Sequence, residues 1–524
     1  MKYIFAITYI ILSAKAGAVE INGHRRALFN NGERCGTVSV ITSEESHEFE
    51  ALNVSSIPVF TFFPSELSTV AGVVTLVKQP RSSHIALKAK DWGIPNADIS
   101  GAECVMSNSD DLLGAFAACM PNIKDGDYIY MKVQKEGRIL TVEKTMVGDP
   151  RCPVLVTKIG EVEITADLTH TALSDHKDLG WKDFDKVGSK AANYAELMHA
   201  MNAGGEEVVR PGFAIPFYYY NQFIDENVLV KSEIESILSD KKLNDPLEAI
   251  YRGERLLRLQ ALIMSEKVKV NETFLAQVYA KAETFRGVDD KPRKLKFRSS
   301  TNAEDLPSFS GAGLYDSKSY KPLKNSGEER KASKKLLRLE ESIKTVWASI
   351  WNKRAYDERA FYGIDHSQVY MGIQVNLSFS DEIASGVVVT KNAIDPDGVD
   401  GTYIEAQRGD EYSVENPSPG VLAERILIEH GIEGESAIKR LGNSTVDVDG
   451  LTVLAQESTA PVLTDADILR IDELSYTAEQ YFEKLLGEEG REFALDIEFK
   501  VDLDLEGVRT VYFKQARPYL IHDK

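Results

Sequence analysis

The chain has 524 residues, which predicts two or three packed domains because a single hydrophobic core rarely organises so long a chain. Its formal charge of −20 at pH 7 argues against nucleic-acid binding, which usually requires a basic face. A hydrophobic content of 43%, with Gly and Pro spread along the chain, is typical of globular proteins and argues against intrinsic disorder.

The N-terminus has the pattern of a secretory signal peptide. Lys2 precedes the apolar run Tyr3–Leu12, and the small residues that follow, up to Ala18, fit a small-x-small cleavage site. We therefore predict a cleaved leader over residues 1–18 and a secreted or periplasmic location. A buried first strand or an uncleaved anchor, and a cytoplasmic location, are the alternatives. No later stretch has membrane-spanning length, so no stable membrane span is expected after cleavage.

The four cysteines all lie in the first third of the chain, at Cys35, Cys104, Cys119 and Cys152. In an oxidising compartment they would form two disulfides, and three pairings are open. None of them forms the C-x-x-C spacing that is typical of zinc sites.

Residues 19–152 are predicted to form a compact α/β domain. Short apolar runs separated by turn residues indicate strands, and two of them flank Glu136-Gly137 as a hairpin would. The runs are Val38–Ile41, Val59–Phe63, Val70–Val77, Tyr128–Val133 and Ile139–Val142.

Residues 153–185 have few apolar repeats and are predicted to be a linker. Residues 186–524 mix helical patterns with strand runs, which predicts an α+β domain. The clearest patterns are helices over Leu247–Glu266 and Ala332–Arg354, and strands over Val369–Val375 and Gly386–Thr390.

His84 is the first candidate catalytic residue. It follows Ser82-Ser83 and precedes a helical segment that ends near Gly93 and Pro95. At a helix N-terminus the dipole keeps an imidazole neutral and favours an attached phosphoryl group. On this pattern alone, a structural or surface histidine is the alternative.

The segment resembles the swivelling phosphohistidine domain of the phosphoenolpyruvate-utilising family. Ser82-Ser83-His84 and Gly93-Ile94-Pro95 carry the resemblance, which implies that His84 is the phosphorylated residue. The chain departs from the family where Gln79-Pro80-Arg81 replaces the usual glycines.

Lys190 is the first candidate phosphate-binding residue. It follows Gly188-Ser189 at the start of a helix, where Ser189 is predicted to be the cap. A lysine is electrostatically disfavoured in a first turn unless it reaches an anion that the helix also binds. An exposed lysine on a surface helix is the alternative. The apolar face of this helix consists of Tyr194, Leu197, Met198 and Met201.

A second phosphate-binding segment begins with Arg298, which is predicted to lie on a strand before a loop of small residues. Backbone N–H groups of such a loop approach phosphate closely, and an arginine binds phosphate bidentately. The string from Phe297 to Pro307 resembles the ATP-grasp nucleotide domain of phosphoenolpyruvate synthase and pyruvate phosphate dikinase, and an ordinary surface turn is the alternative. The candidate loop residues are Ser308, Ser310, Gly311 and Gly313.

The third segment is a C-terminal pair of strands, in which Asp496 and Glu498 share one face, Gln515 and Arg517 share one face, and all four are predicted to converge. A hairpin centred on Leu505-Glu506 would place Asp496 opposite Gln515. Carboxylate and amide oxygens suit Mg²⁺, and Arg517 would bind the phosphate chain. An exposed polar hairpin face is the alternative, but the strings resemble the Asp-x-Glu and Gln-x-Arg-Pro motifs of the same family.

Two further residues lie between these segments. The resemblance implies that Glu405 is on a strand near the adenine, whereas the family's Gly-x-Gly-Glu is replaced by Arg408-Gly409-Asp410-Glu411. His366 is interpreted as structural.

Taken together, the resemblance implies a phosphohistidine domain followed by an ATP-grasp domain, in the order of glucan, water dikinases. It further implies an ATP- and Mg²⁺-dependent phosphotransferase of the dikinase type, which phosphorylates its own histidine and releases AMP and phosphate. The phosphoryl acceptor would be a glucan, another small molecule or a partner protein. A secreted phosphoryl relay and a non-catalytic ATP-binding member of the family are the alternatives.

Overall fold

The computed structural model describes residues 18–22, 30–64, 67–79, 84–108, 110–134, 139–285, 293–306, 309–311, 313–320, 329–379, 382–392, 399–409, 411–412, 414, 421–431, 436–454, 456–487, 493–503 and 507–519. The chain divides into an N-terminal unit, residues 1–64 and 70–156, and a C-terminal unit, residues 65–69 and 157–524. Nearly all of the predicted signal peptide lies outside the described residues, so its cleavage stays a prediction.

The described strands of the N-terminal unit form one mixed sheet. They are β1 (Ala18–Asn22), β2 (Gly32–Ile41), β3 (Ser56–Phe60), β4 (Val73–Thr75), β5 (Asn96–Asp98), β6 (Tyr128–Gln134) and β7 (Ile139–Lys144). Their order in the sheet is β1-β7-β6-β2-β3-β4-β5, and β2 to β5 run parallel to one another. The helices are α1 (His47–Glu50), α2 (His84–Asp91), α3 (Glu103–Met106) and α4 (Leu112–Cys119).

The predicted α/β character of this unit is confirmed. Strands β6 and β7 pair as the predicted hairpin, with Met131 opposite Val142, although the turn itself lies outside the described residues. Alternate residues of both strands, including Met131 and Leu140, enter a core that also contains Val74 and Phe116. The period-2 pattern of the sequence therefore gave the buried face correctly.

The strand predicted over Val70–Val77 is shorter in the structure. Only Val73–Thr75 is paired on both sides, because the neighbouring strand β5 has just three residues. Helix α2 then begins at His84 and ends near Gly93, whose φ of 61° gives the left-handed stop expected of a glycine.

Two disulfides select one of the three pairings that the sequence left open. Cys35 pairs with Cys152, and Cys104 pairs with Cys119. Because Cys35 lies on β2, the first disulfide attaches the start of the interdomain segment to the N-terminal sheet. Residues 145–175 then contain neither a helix nor a strand.

The C-terminal unit contains two antiparallel sheets. The four-stranded sheet has the order β10-β9-β11-β8 and consists of β8 (Gly212–Ile215), β9 (Leu295–Thr301), β10 (Ser317–Tyr320) and β11 (Met371–Leu377). The six-stranded sheet has the order β15-β14-β13-β12-β16-β17. Its strands are β12 (Glu382–Val389), β13 (Gly401–Arg408), β14 (Glu424–His430), β15 (Ser436–Gly442), β16 (Leu495–Leu503) and β17 (Arg509–Pro518).

The C-terminal unit also contains helices. They are α5 (Phe184–Val187), α6 (Ser189–Asn202), α7 (Phe217–Glu226), α8 (Val228–Ser239), α9 (Ala249–Met264), α10 (Glu272–Glu283), α11 (Glu329–Ala348), α12 (Lys353–Phe361) and α13 (Asp465–Leu486). The single helix predicted over Ala332–Arg354 is wrong at its end, because the extended backbone of Asn352 separates α11 and a 3₁₀ turn from α12. None of the helices in the described ranges is both long and apolar enough to cross a membrane.

The six-stranded sheet has one apolar face and one polar face. The apolar face, with Ile404, Ile497 and Phe499, packs against α6 and α13. Tyr194, Leu197, Met198 and Met201 of α6 all join this core, as their helical spacing predicted. Residues one position away on the same strands, such as Glu405 and Glu498, therefore project from the opposite face.

Candidate functional site

The N-terminus of α6 packs directly on strand β9. Gly188 has a φ of 89°, and a Cβ at this position would lie 2.3 Å from the carbonyl of Ser300. The predicted cap is wrong, because Ser189 is the first helical residue and Gly188 occupies the cap position. Ser300 takes the capping role instead, since its hydroxyl accepts a hydrogen bond from the Ala191 N–H at 2.9 Å.

Lys190 points toward the loop that follows β9. Its Nζ lies 2.7 Å from Glu304 Oε1, and its side chain is 13% exposed. Burial raises the pKa of the Glu304 carboxyl, and the ammonium of Lys190 opposes that shift. The surface-lysine alternative is thereby excluded, because Lys190 is held by a buried carboxylate.

Asp305 follows Glu304 in an unusual backbone conformation. Its φ of 52° is the one positive φ at a non-glycine residue in the described ranges. The Asp305 N–H donates to the Ser310 carbonyl at 2.8 Å, and Leu306 pairs with Phe309, so the chain turns back tightly here. Burial raises the pKa of the Asp305 carboxyl, which Arg517 and Lys190 oppose.

The predicted phosphate-binding loop follows Leu306 and makes several contacts with its own turn and with neighbouring residues. The Phe309 N–H donates to the Leu306 carbonyl at 3.1 Å, so this group is used within the turn. Gly311 packs against Ala303, and the Gly313 carbonyl accepts a hydrogen bond from Arg354 at 3.2 Å. Ser310 lies beside Asp305, whereas Ser308 lies outside the described residues.

Strands β16 and β17 bring the predicted C-terminal residues together, but with a different register. Asp496 lies opposite Arg517 and Glu498 lies opposite Gln515, so the predicted pairing of Asp496 with Gln515 is wrong. Part of this difference in register comes from a β-bulge between Glu498 and Phe499, at which β17 carries one additional residue, Lys514. The rest is a shift of one residue next to the turn, where Leu503 lies opposite Arg509.

The bulge places Lys514 on the polar face, beside Gln515. Val511, Phe513 and Ala516 all enter the apolar core, and that spacing of two and then three is possible only if one residue is skipped. Lys514 forms an ion pair with Glu498, and Arg517 Nη2 donates to Asp496 Oδ2 at 2.7 Å. Burial alone would raise the pKa of Glu498, but Lys514, Arg298 and Arg517 hold it well below its ordinary value.

Glu405 belongs to the same polar face. It lies opposite Val387, which in turn lies opposite Glu498, so these residues form one row across β13, β12 and β16. At the usual strand spacing, Glu405 is roughly 10 Å from Glu498. Its Oε1 accepts a hydrogen bond from the Tyr403 hydroxyl at 2.6 Å.

Several buried polar atoms on these elements have no hydrogen-bond partner among the described residues. Gln374, opposite Arg298 on β11, is fully buried and was not predicted from the sequence. Such atoms are rare in folded proteins, and a polar ligand at this place would supply the hydrogen bonds that they lack. They are Arg298 Nε, Glu304 Oε2, both carboxylate oxygens of Asp305, both amide atoms of Gln374, and Asp496 Oδ1.

The donor set fits a hard divalent cation. Nowhere in the described ranges do three His, Cys, Asp or Glu side chains group as metal ligands, but the predicted set contains two carboxylates and an amide. Asp496 has one buried oxygen without a partner, and Glu498 is held in its ionised form. Oxygen atoms of this kind are the ligands that Mg²⁺ prefers.

His84 is the first residue of α2, as the sequence predicted, but its side chain and Ser82-Ser83 lie outside what the structure describes. Before that segment, the Asp98 carboxylate accepts a hydrogen bond from the Gln79 N–H at 3.1 Å. Burial raises the pKa of Asp98.

His366 matches its structural interpretation. Its ring stacks on Tyr356 with centroids 3.7 Å apart, and its Nδ1 accepts a hydrogen bond from Arg359. Burial lowers the pKa of His366 well below its ordinary value.

The C-terminal unit thus gathers cations, buried carboxylates and a helix N-terminus at one site, which is typical of proteins that bind phosphorylated ligands. Comparison with known proteins agrees. Residues 184–524 match the family described as the pyruvate phosphate dikinase AMP/ATP-binding domain, and the chain belongs to this family.

Curated relatives include phosphoenolpyruvate synthases. The protein from Aeropyrum pernix is 25% identical over 364 residues, which cover 63% of this chain and 40% of the relative. That from Escherichia coli is 27% identical over 214 residues, covering 41% and 24%. Rifampicin phosphotransferase of Bacillus subtilis is 25% identical over 343 residues, covering 63% and 34%. The chain therefore spans about two fifths or less of the length of these relatives.

Proposed function

We propose that this chain is an ATP-dependent phosphotransferase of the dikinase type. In this proposal the C-terminal unit is an ATP-grasp domain and the N-terminal unit is a swivelling phosphohistidine domain that carries His84. The observation that carries the proposal is the site in the C-terminal unit, where cations and unpartnered buried polar atoms surround Asp496 and Glu498.

Lys190, Arg298 and Arg517 would bind the phosphates of ATP, because each is a cation close to a buried carboxylate or an unpartnered polar atom. Glu405, in the same row as Glu498, would lie toward the nucleoside end. Asp496, Glu498 and Gln515 would hold Mg²⁺, which when bound supplies positive charge to the phosphate oxygens.

His84 would attack the β-phosphorus of ATP. The bond from this phosphorus to the AMP oxygen breaks as the bond to the imidazole nitrogen forms, and AMP leaves. Water then cleaves the bond between the β- and γ-phosphates, so that phosphate leaves and the β-phosphoryl group stays on His84. The phosphoryl group finally passes to an acceptor, for which a glucan, another small molecule and a partner protein are the candidates.

ATP labelled at the β-phosphate tests this mechanism. We expect acid-labile label on the wild-type chain, none on His84→Ala, and AMP formed in proportion to the label. His47→Ala is the matched control, because His47 also begins a helix of the N-terminal unit, is exposed, and should leave labelling unchanged. Binding of ATP without label and without AMP would contradict the proposal in favour of a non-catalytic ATP-binding protein.

Export through the predicted leader is part of the proposal. Two disulfides support it, because such bonds persist mainly in oxidising compartments. Sequencing the N-terminus of the protein from its native host tests it, and a retained Met1 would contradict it.

A further inference from the structure

Both carboxylates that would hold a metal ion are already paired with side-chain cations. Glu498 contacts Lys514, and Asp496 contacts Arg517. The two ion pairs differ in origin, since Arg517 belongs to the alternating face of β17, whereas Lys514 is the additional residue of the bulge. Lys514 thus adds a positive charge to a polar face on which the other residues of β17 already have cross-strand partners.

Lys514 lies in a region that is crowded with positive charge. Burial, together with the charges of Arg298, Lys294 and Lys514, lowers the pKa of Lys296 on β9 to about 8. Lys500 adds another cation, which Glu382 neutralises. Cations that act on one another's pKa in this way repel one another, so their assembly favours an anion with several charges.

We propose that Lys514 is a resident cation that allows this site to bind nucleotide phosphates without a divalent metal ion, and that it competes with the metal ion for Glu498. The inference rests on the proposed function, since it assumes that the site binds ATP. A lysine has a long flexible stem and three N–H donors, so its ammonium can contact a phosphate oxygen while it is paired with Glu498, and it can leave Glu498 when that carboxylate binds a metal ion.

Calorimetric titration tests the inference. With ATP in the presence of EDTA, we expect wild-type binding that Lys514→Met weakens by about tenfold or more, as for the loss of a charge-assisted hydrogen bond, and that Lys514→Arg retains. With Mg²⁺ alone, we expect Lys514→Met to bind the ion several-fold more tightly than the wild type. The matched control is Lys439→Met, because Lys439 also pairs with a glutamate in the same sheet but on its edge strand β15.

A reciprocal variant keeps the test independent of folding defects in Lys514→Met. Glu498→Gln frees Lys514, so ATP binding in EDTA should become several-fold tighter while Mg²⁺ binding is lost.

The outcomes separate the two proposals. ATP binding that is absent both with and without Mg²⁺ would overturn the proposed function and this inference together. Binding with Mg²⁺ but not in EDTA, or an unchanged ATP affinity of folded Lys514→Met, would overturn this inference alone.

Discussion

Asp305 combines two features that oppose stability. Its backbone is in the left-handed region, and both oxygens of its buried carboxylate lack a hydrogen-bond partner among the described residues. A non-glycine residue in such a conformation costs on the order of 1 kcal/mol or more and persists where the surroundings impose it. Residues in such conformations cluster at ligand sites. The positive charges of Arg517 and Lys190 favour the ionised form of the Asp305 carboxyl.

The backbone contribution at Asp305 can be isolated by comparing two substitutions that both remove the carboxylate. Because glycine adopts a positive φ without steric strain, we expect Asp305→Gly to be more stable than Asp305→Ala by about 1 kcal/mol. Urea denaturation measures the free energy of unfolding. Equal stabilities, or a more stable alanine variant, would contradict the left-handed conformation.

At the level of single residues, the motif residues could be predicted from the sequence, but the side chains that they contact could not. Lys190, Arg298, Asp496, Glu498 and Arg517 were predicted and do converge. The site residues that sequence reasoning missed are Glu304, Asp305, Gln374 and Lys514. They were missed because the burial and pairing of a side chain depend on the tertiary fold. Lys514 alone had a visible signal, namely the change of apolar spacing after Phe513.

At the scale of secondary structure, the decisive contact is that between the start of α6 and strand β9. The absent side chain of Gly188 allows the helix to approach Ser300, whose hydroxyl then caps it. The position of Lys190 depends on this contact, since it is the second residue of the helix.

We expect Gly188→Ala to lower the free energy of unfolding by at least about 2 kcal/mol more than Gly205→Ala. Both glycines have a φ near 90°, so both variants incur backbone strain, but a Cβ at Gly205 meets no atom within 4 Å. Gly188→Ala should also weaken ATP binding by displacing Lys190. Similar losses in the two variants would contradict the close approach of α6 to β9.

The predictions of helices and strands were correct where they rested on local periodicity, and wrong where the structure depends on residues distant in the sequence or on strand pairing. The face of α6 and the β6–β7 hairpin follow from periodicity, and both are confirmed. The cap of α6 was wrong because it comes from Ser300, over 100 residues away. The β16–β17 register was wrong by one residue next to the turn, where Leu503 pairs with Arg509, and by one more residue at the bulge.

At the scale of the whole molecule, the charge state of Glu479 on α13 links stability to pH. Burial raises its pKa to about 7, and Lys391 opposes the shift. The folded chain therefore binds this proton more tightly than the unfolded chain does. The stability of the C-terminal unit should fall, through this group, as pH rises from about 4.5 to about 7.

Glu479→Gln removes this dependence. After allowance for solvent screening, we expect the variant to gain about 1–2 kcal/mol over the wild type above pH 7 and little near pH 4.5. Tryptophan fluorescence can follow the unfolding, since three of the four tryptophans lie in the C-terminal unit, at Trp181, Trp347 and Trp351. Glu473→Gln, at an exposed position of the same helix, should show no such gain, and a pH-independent gain in Glu479→Gln would contradict the assignment.

The bulge at Lys514 has a consequence for insertions and deletions. Phe513 and Gln515 lie opposite the consecutive residues Phe499 and Glu498, so removal of Lys514 would leave every other cross-strand pair of β16 and β17 in place. Deletions within a strand ordinarily turn all later side chains to the wrong face. Here the insertion or deletion of the single residue Lys514 would add or remove a positive charge at the site without changing which side chains of β17 enter the core.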